Sequence, residues 1–468
     1  MRTPLRHAGF VPPRGRSFAG RFPASAFLLP LLLFALTSCV DSATDPAAVK
    51  EKSPPALDSR EGSSLLPPGP PFCLEGRASG TGALLLACVP TTGWNGDLVV
   101  WAHGYVSPQE PLAIPDDEVG GQAIADIVTG LGYGYATTSY RDNGLIADQA
   151  VADLDDAVAF FEKSFERKYG PLDDAFLVGG SEGGLATALS LEGAGEGLFD
   201  AGMILCAPVG SFRRQIQYLG DFRVLLDVYF PDVVPGEPWG SRTVQIPRTL
   251  MLNWRKIEKN LIIATRDHPA RMAELLRVAG VAADRSDPST AAESAVGVLW
   301  YNIFATNDII EKLGGLPYDN TRRWYRGSSD DWNLNWNVQR IRAQVPPETA
   351  LAPFETDGSL TVPAVGMHTT LDPIVPFSQG VRYRLETLRA GVGLGYNFFP
   401  VRRYGHCAFE VPHVLAGFAL MVLKATGSDL VAFSTLFSDP AEEATFLAAA
   451  QELGAQPVVA RPEERQKR

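Results

Sequence analysis

Ser181 lies in the stretch FLVGGSEGGLATALS, residues 176–190, with two glycines before it and, after Glu182, two more. A serine hydroxyl attacks a carbonyl only when a base takes its proton, and the usual base is a histidine oriented by a carboxylate. The chain has six histidines. His7 falls in a leader-like segment, His268 in the charged run RDHPAR, and His413 where a helix is starting, so none of these suits catalysis. His103 in VVWAHGY, His368 in GMHTTLDPIVPF and His406 in RRYGHCAFE each follow an apolar run with strand character.

His406 is the expected base. Gly405 lets its loop bend so that the imidazole reaches back across a sheet edge. Asp372 stands four residues after His368 and just before Pro373, where a strand end delivers an acid to the carboxyl edge of a parallel sheet. His103 and Gly104 are expected to shape an oxyanion loop rather than supply the base. In that loop the N–H of Tyr105, with the N–H of Glu182 after the serine, would hold the developing negative charge. The Glu182 side chain has two readings, a local hydrogen bond or a site for a cation such as a peptide N-terminus, and the first is preferred.

These residues need a rigid edge to stand on. Asp97 to Ala102 (DLVVWA), Gly134 to Tyr140 (GYATTSY), Ala175 to Gly179, Gly202 to Cys206 (GMILC), Val362 to His368 and Tyr396 to Val401 read as strands. Ala150 to Lys168 and Glu182 to Leu191 read as helices between them. The alternation implies an α/β fold with a mostly parallel central sheet and helices on both faces. From 211 to 345 the rhythm gives way to a mainly helical segment holding six of the eight tryptophans, a cap expected to line a pocket or to pack its rings into its own core.

The chain has 468 residues, is 46% hydrophobic and carries a formal net charge of -12, which argues against an electrostatic hold on nucleic acid. Residues 1–38 contain five arginines, no acid and the apolar run FLLPLLLFAL, too short to span a bilayer. That run leads into Leu36-Thr37-Ser38-Cys39, which resembles a bacterial lipobox, so an exported, membrane-anchored lipoprotein lipidated at Cys39 is expected, with plain secretion as the alternative. Residues 39–72 form a tether rich in Pro, Ser and charge, and 456–468 a polar tail. Cys73 and Cys88 flank Gly80-Thr81 symmetrically, so a hairpin turning there would pair them in a disulfide. For Cys206 and Cys407, buried thiols and a second bond both remain open. No cluster with metal-ligand spacing occurs, and no cofactor is expected.

The segments WAHGY, GGSEGG, HTTLDPIVPF and YGHCAF together resemble the α/β-hydrolase superfamily, over about residues 73 to 425. The chain order Ser181, Asp372, His406 matches one of three unrelated triad orders. The resemblance implies a catalytic domain of residues 73–210 and 346–455 interrupted by a cap at 211–345, and Ser-His-Asp acyl transfer needing no cofactor. Small or apolar acyl esters are the expected substrates. A secreted exopeptidase acting on short peptides is the second reading, since GGSEGG is similar to the elbow of some prolyl-type peptidases, and a non-catalytic binding protein is the third.

Overall fold

The computed structural model describes residues 70–427 and the isolated positions 444, 448 and 451. Cys39, the leader, most of the tether and the tail from 456 lie outside the described residues. Two strands, β1 (Phe72–Arg77) and β2 (Leu84–Val89), form an antiparallel hairpin in which Cys73 faces Cys88. The turn closes between Ala78 and Ala83, and the two cysteines are bonded. Next come β3 (Leu98–Ala102), β4 (Gly134–Thr138), β5 (Ala175–Gly180), β6 (Ala201–Leu205), β7 (Ala364–Leu371) and β8 (Tyr396–Tyr404). All eight join one sheet in the order β1-β2-β4-β3-β5-β6-β7-β8. β2 runs antiparallel to β4, and from β4 to β8 every neighbour is parallel.

Strands β3 to β6 are buried along their whole length, as expected of a parallel sheet covered on both sides. Side chains alternate between the two faces. Val100, Leu177 and Ile204 meet one layer, built from α2 (Ala147–Tyr169) and α3 (Glu182–Leu189) through Leu154, Phe161 and Leu185. Val99, Phe176, Val178 and Met203 meet the other, where α1 (Ile124–Gly130) supplies Val128 and the closing helix supplies Phe418 and Val422. β4 leaves the sequential order to lie on the far side of β3, so the carboxyl ends of β3 and β5 border a switch point of the kind where open α/β sheets place their sites.

Between β6 and β7 the chain is helical. It forms α4 (Phe212–Tyr229), α5 (Arg248–Leu252), α6 (Trp254–Asp267), α7 (Pro269–Ala279), α8 (Thr290–Leu313), α9 (Asp331–Asn337) and the single turn α10 (Pro347–Ala350). A further 3-10 turn at Ala352–Phe354 carries the helical segment past the expected boundary at 345. Two helices complete the fold, α11 (Ser378–Arg389) and α12 (Val411–Thr426). α8 packs on α4, α6 and α7. The cap tryptophans divide in a way the sequence does not announce: Trp239 is core, but Trp332 and Trp336 are 78% and 89% exposed, neither lining a pocket nor filling a core. Among the described residues no helix is long and apolar enough to cross a membrane.

The Cys73–Cys88 bond closes a loop of sequence separation 15 at the sheet edge, four strands away from β5. Cys73→Ser is therefore expected to lower unfolding stability by about 3 kcal/mol in a denaturant titration while leaving turnover per folded molecule unchanged.

Candidate active site

Ser181 links β5 to α3 with φ 55° and ψ -121°, a conformation that L side chains rarely adopt. Its N–H donates to the Leu205 carbonyl at 2.9 Å, which fixes the turn against the end of β6. The next turn of chain passes so close to β3 that a Cβ at Gly183 would fall 2.0 Å from the Ala102 carbonyl oxygen. Only glycine fits there, and the tight reversal pushes the serine side chain out of the sheet edge.

Nε2 of His406 lies 2.8 Å from Ser181 Oγ, and Nδ1 lies 2.7 Å from Asp372 Oδ2. Three residues spread over 225 positions thus form one continuous hydrogen-bonded chain. Asp372 is 2% exposed, yet its carboxylate is well satisfied. Oδ1 accepts from the N–H groups of Ile374 and Val375 at 2.8 and 2.9 Å. His368, buried beside it, approaches Oδ2 at 3.5 Å and holds the same turn through the Val375 carbonyl at 2.9 Å. Burial pushes the Asp372 carboxyl up, but the favourable electrostatics of the His406 ring beside it and the hydrogen bonds of His368 and His406 outweigh it and hold it at about 2. A carboxylate can only accept, so the proton between the two groups sits on Nδ1, and Nε2 is left to accept from the serine hydroxyl.

The His406 loop is tied down on both sides. Gly405 takes φ 108°, its N–H donates to the Leu371 carbonyl, and its own carbonyl accepts from Thr369 at 2.6 Å. Just beyond, Cys407 is bonded to Cys206 at the end of β6, a bridge across 201 residues that decides the pairing the sequence left open. Both bridge residues have positive φ, and Cys206 donates its N–H to the Met367 carbonyl at 2.8 Å. The sequence clue was available: Cys407 follows the histidine directly, and Cys206 ends an apolar strand.

A strand order with β2 reversed, a sharp serine turn after β5, an acid after β7 and a histidine after β8 are now all in place. The chain has the α/β-hydrolase fold.

On the other side of Ser181 stands the His103 loop. A Cβ at Gly104 would lie 3.3 Å from Ser181 Cβ and 3.9 Å from Oγ, so this backbone borders the nucleophile. The Tyr105 N–H has no hydrogen-bond partner among the described residues. Glu182 opens α3, where an N–H has no intrahelical acceptor. His103 itself is buried against Tyr140 with ring centroids 4.0 Å apart, and burial lowers its pKa, so it stays neutral and stacked. The Tyr105 ring meets Trp300, one of the six cap tryptophans, and Tyr301, which the sequence does not single out, at 6.1 and 5.5 Å, both on α8.

The Glu182 side chain turns inward, away from any substrate. Oε1 accepts from the Ile146 N–H at 2.9 Å and so caps the start of α2, while Oε2 is buried without a partner. Burial pushes this carboxyl up to about 7, against the hydrogen bond from Ile146 and the charge of Lys312.

No family model matches the chain, and no curated protein matches it. Among solved structures, feruloyl esterase B from Aspergillus oryzae aligns at 14% identity with a TM-score of 0.41, over 83% of this chain and 82% of that one. Brefeldin A esterase, a bacterial homologue of human hormone sensitive lipase, aligns at 12% identity and TM-score 0.34, over 82% and 78% of the two chains. Pyrococcus horikoshii acylaminoacyl peptidase aligns at 10% identity and TM-score 0.35 over 72% of this chain, which spans only 38% of the peptidase.

The Glu182 pKa of about 7 lies above its ordinary 4.5, so the folded chain keeps a proton that the unfolded chain releases between those values. This contribution to stability is full below pH 4.5 and disappears as pH rises through 7, at up to about 3 kcal/mol. Glu182→Gln is expected to remove that slope; unfolding titrations at pH 4.5 and pH 8 on both chains measure the difference.

Proposed function

We propose that the chain is a serine hydrolase that cleaves carboxylic esters through an acyl-enzyme on Ser181. The observation that carries this reading is the unbroken line from Ser181 Oγ through His406 to a buried, ionised Asp372. In the proposed cycle the serine oxygen attacks the ester carbonyl as His406 Nε2 takes its proton. The negative charge that develops on the carbonyl oxygen is held by the N–H groups of Tyr105 and Glu182. Collapse expels the alcohol, which takes the proton back from His406, and water then repeats the sequence to free the acid. Asp372 keeps the imidazole in the tautomer that leaves Nε2 free, and it stabilises the imidazolium that forms.

Esters are preferred over peptides because the acid next to the nucleophile is already engaged. The Glu182 carboxylate binds Ile146 of the chain itself, which leaves it unsuited to hold a substrate amine. The rings of Tyr105, Trp300 and Tyr301 offer an apolar surface beside the oxyanion loop that suits small or apolar acyl groups. Export and anchoring through Cys39 belong to the same proposal, supported by the sequence of residues 1–39 alone. Position and electrostatics within the chain supply every step, with no cofactor.

A series of p-nitrophenyl esters compared with aminoacyl p-nitroanilides tests the reading. The esters are expected to turn over faster, and Asp372→Asn is expected to cut kcat by roughly 10⁴ with little change in KM. Faster turnover of the anilides would make the protein a peptidase instead.

A further inference from the structure

Two sulfurs stand next to the base. Sγ of Cys206, Sγ of Cys407 and a ring nitrogen of His406 all lie within 4.8 Å of one another, and Cys407 Sγ is 3.7 Å from His406 Nε2. While the disulfide is intact neither sulfur has a lone pair of thiolate character to offer. We propose that reduction of Cys206–Cys407 creates a site for one thiophilic divalent cation of the zinc class, held by the two thiolates and His406 Nε2, and that filling it shuts off Ser181.

The three ligand atoms are already gathered, and cutting the disulfide lets them spread to the spacing a cation needs. A tetrahedral zinc ion with bonds of about 2.3 Å to sulfur and about 2.0 Å to nitrogen needs a sulfur-to-nitrogen edge of about 3.6 Å and a sulfur-to-sulfur edge of about 3.8 Å. For Cys407 that first edge is already present, at 3.7 Å. The second is close to the contact distance that two thiols reach once their bond is cut, since the two Cα atoms are 5.4 Å apart. Backbone hydrogen bonds hold the two residues in addition to the bond. Cys206 is held by the Met367 carbonyl and is fully buried, and Cys407 is braced by the Gly405 and Phe409 hydrogen bonds on either side.

The surroundings favour a cation as well as they favour catalysis. A metal-bound imidazole is steadied when its other nitrogen donates to a carboxylate, and His406 Nδ1 already donates to Asp372 at 2.7 Å. The Nε2 lone pair that would bind the cation is the one that now accepts from Ser181 Oγ at 2.8 Å, so the serine side chain turns aside as the cation enters. Once Nε2 binds a cation it can no longer accept the serine proton.

The chemistry balances with an external dithiol as reductant. Its thiolate attacks Sγ of Cys407, the more accessible sulfur, and Cys206 leaves as a thiolate. The second thiol of the reductant then closes on the mixed disulfide and releases Cys407. Two electrons pass to the protein and the reductant becomes a cyclic disulfide. Binding of the cation displaces the protons of the two thiols, so the site tightens as pH rises.

The test uses the full chain with Cys39→Ala, Cys73→Ala and Cys88→Ala, so that Cys206 and Cys407 are its only cysteines. It is reduced with a phosphine, freed of reductant without air, and titrated with cobalt(II) and zinc(II). One cobalt per chain with thiolate-to-cobalt charge-transfer absorption is expected, displaced by one zinc. His406→Ala should weaken binding by roughly 10–100-fold. The inhibition arm rests on the hydrolase reading, and the cobalt arm does not: ester turnover should fall at least about tenfold at one zinc per chain and return with a chelator, while the oxidised chain is unaffected. Reduced protein without the absorption overturns the proposal, as does bound cation with turnover intact. Equal zinc inhibition of Cys407→Ala overturns it too. If the triple variant does not fold, reduced wild type against reduced Cys407→Ala gives the same decision.

Discussion

The approach of α3 to the end of β3 is the constraint on which the site depends. With a backbone carbonyl of β3 where the Gly183 side chain would be, the helix sits one atom deeper into the sheet edge than any other residue permits. That depth forces Ser181 into a positive φ, at roughly 1–3 kcal/mol of local strain. The strain persists because the flanking elements are over-determined by the fully buried strands β3 to β6. Its result is a hydroxyl held out in front of the sheet, next to the Gly104 backbone and within reach of a histidine delivered by a different strand. The Glu182 carboxylate adds to the same knot by clamping the start of α2 from within the turn.

The cap is joined to this edge through α4, whose Gln215 and Tyr218 donate to the carbonyls of Ile374 and Pro373 beside Asp372, and through α8. Near its start, Ser294 bonds Tyr404, two residues before the base, at 2.9 Å. At its middle, Trp300 and Tyr301 rest on Tyr105 of the oxyanion loop. Towards its end, Asp308 accepts from the Leu145 N–H at 2.7 Å and Lys312 bonds the Asn143 carbonyl. One helix of 24 residues therefore touches the base loop, the oxyanion loop and the β4–α2 connection. The base loop and the oxyanion loop are thus braced by the same helix, so a displacement of α8 would loosen both together.

Much of this was legible in the sequence because the signals are local. The buried strands are short apolar runs, and β3 to β8 begin and end within a few residues of the expected positions. The Gly-Gly-Ser-Glu-Gly-Gly turn, Asp372 before a proline and His406 after a glycine each carry their conformational reason in their neighbours. The Cys73–Cys88 pair could be read because a hairpin's symmetry is a local property. What escaped depends on contacts distant in sequence. His368 behind Asp372, the Cys206–Cys407 bridge and the α8 contacts with Tyr105 exist only once the sheet is assembled. The exposed Trp332 and Trp336 show the opposite failure, since hydrophobicity alone placed them inside.

The central claim is that Ser181 is chemically activated by His406. Fluorophosphonate labelling of the folded chain, with the modified peptide located by mass spectrometry, tests it most directly. The account predicts one adduct, on Ser181, which disappears in His406→Ala at the same pH. A folded chain that stays unlabelled, carries the adduct on another residue, or labels Ser181 equally fast without His406 would contradict it.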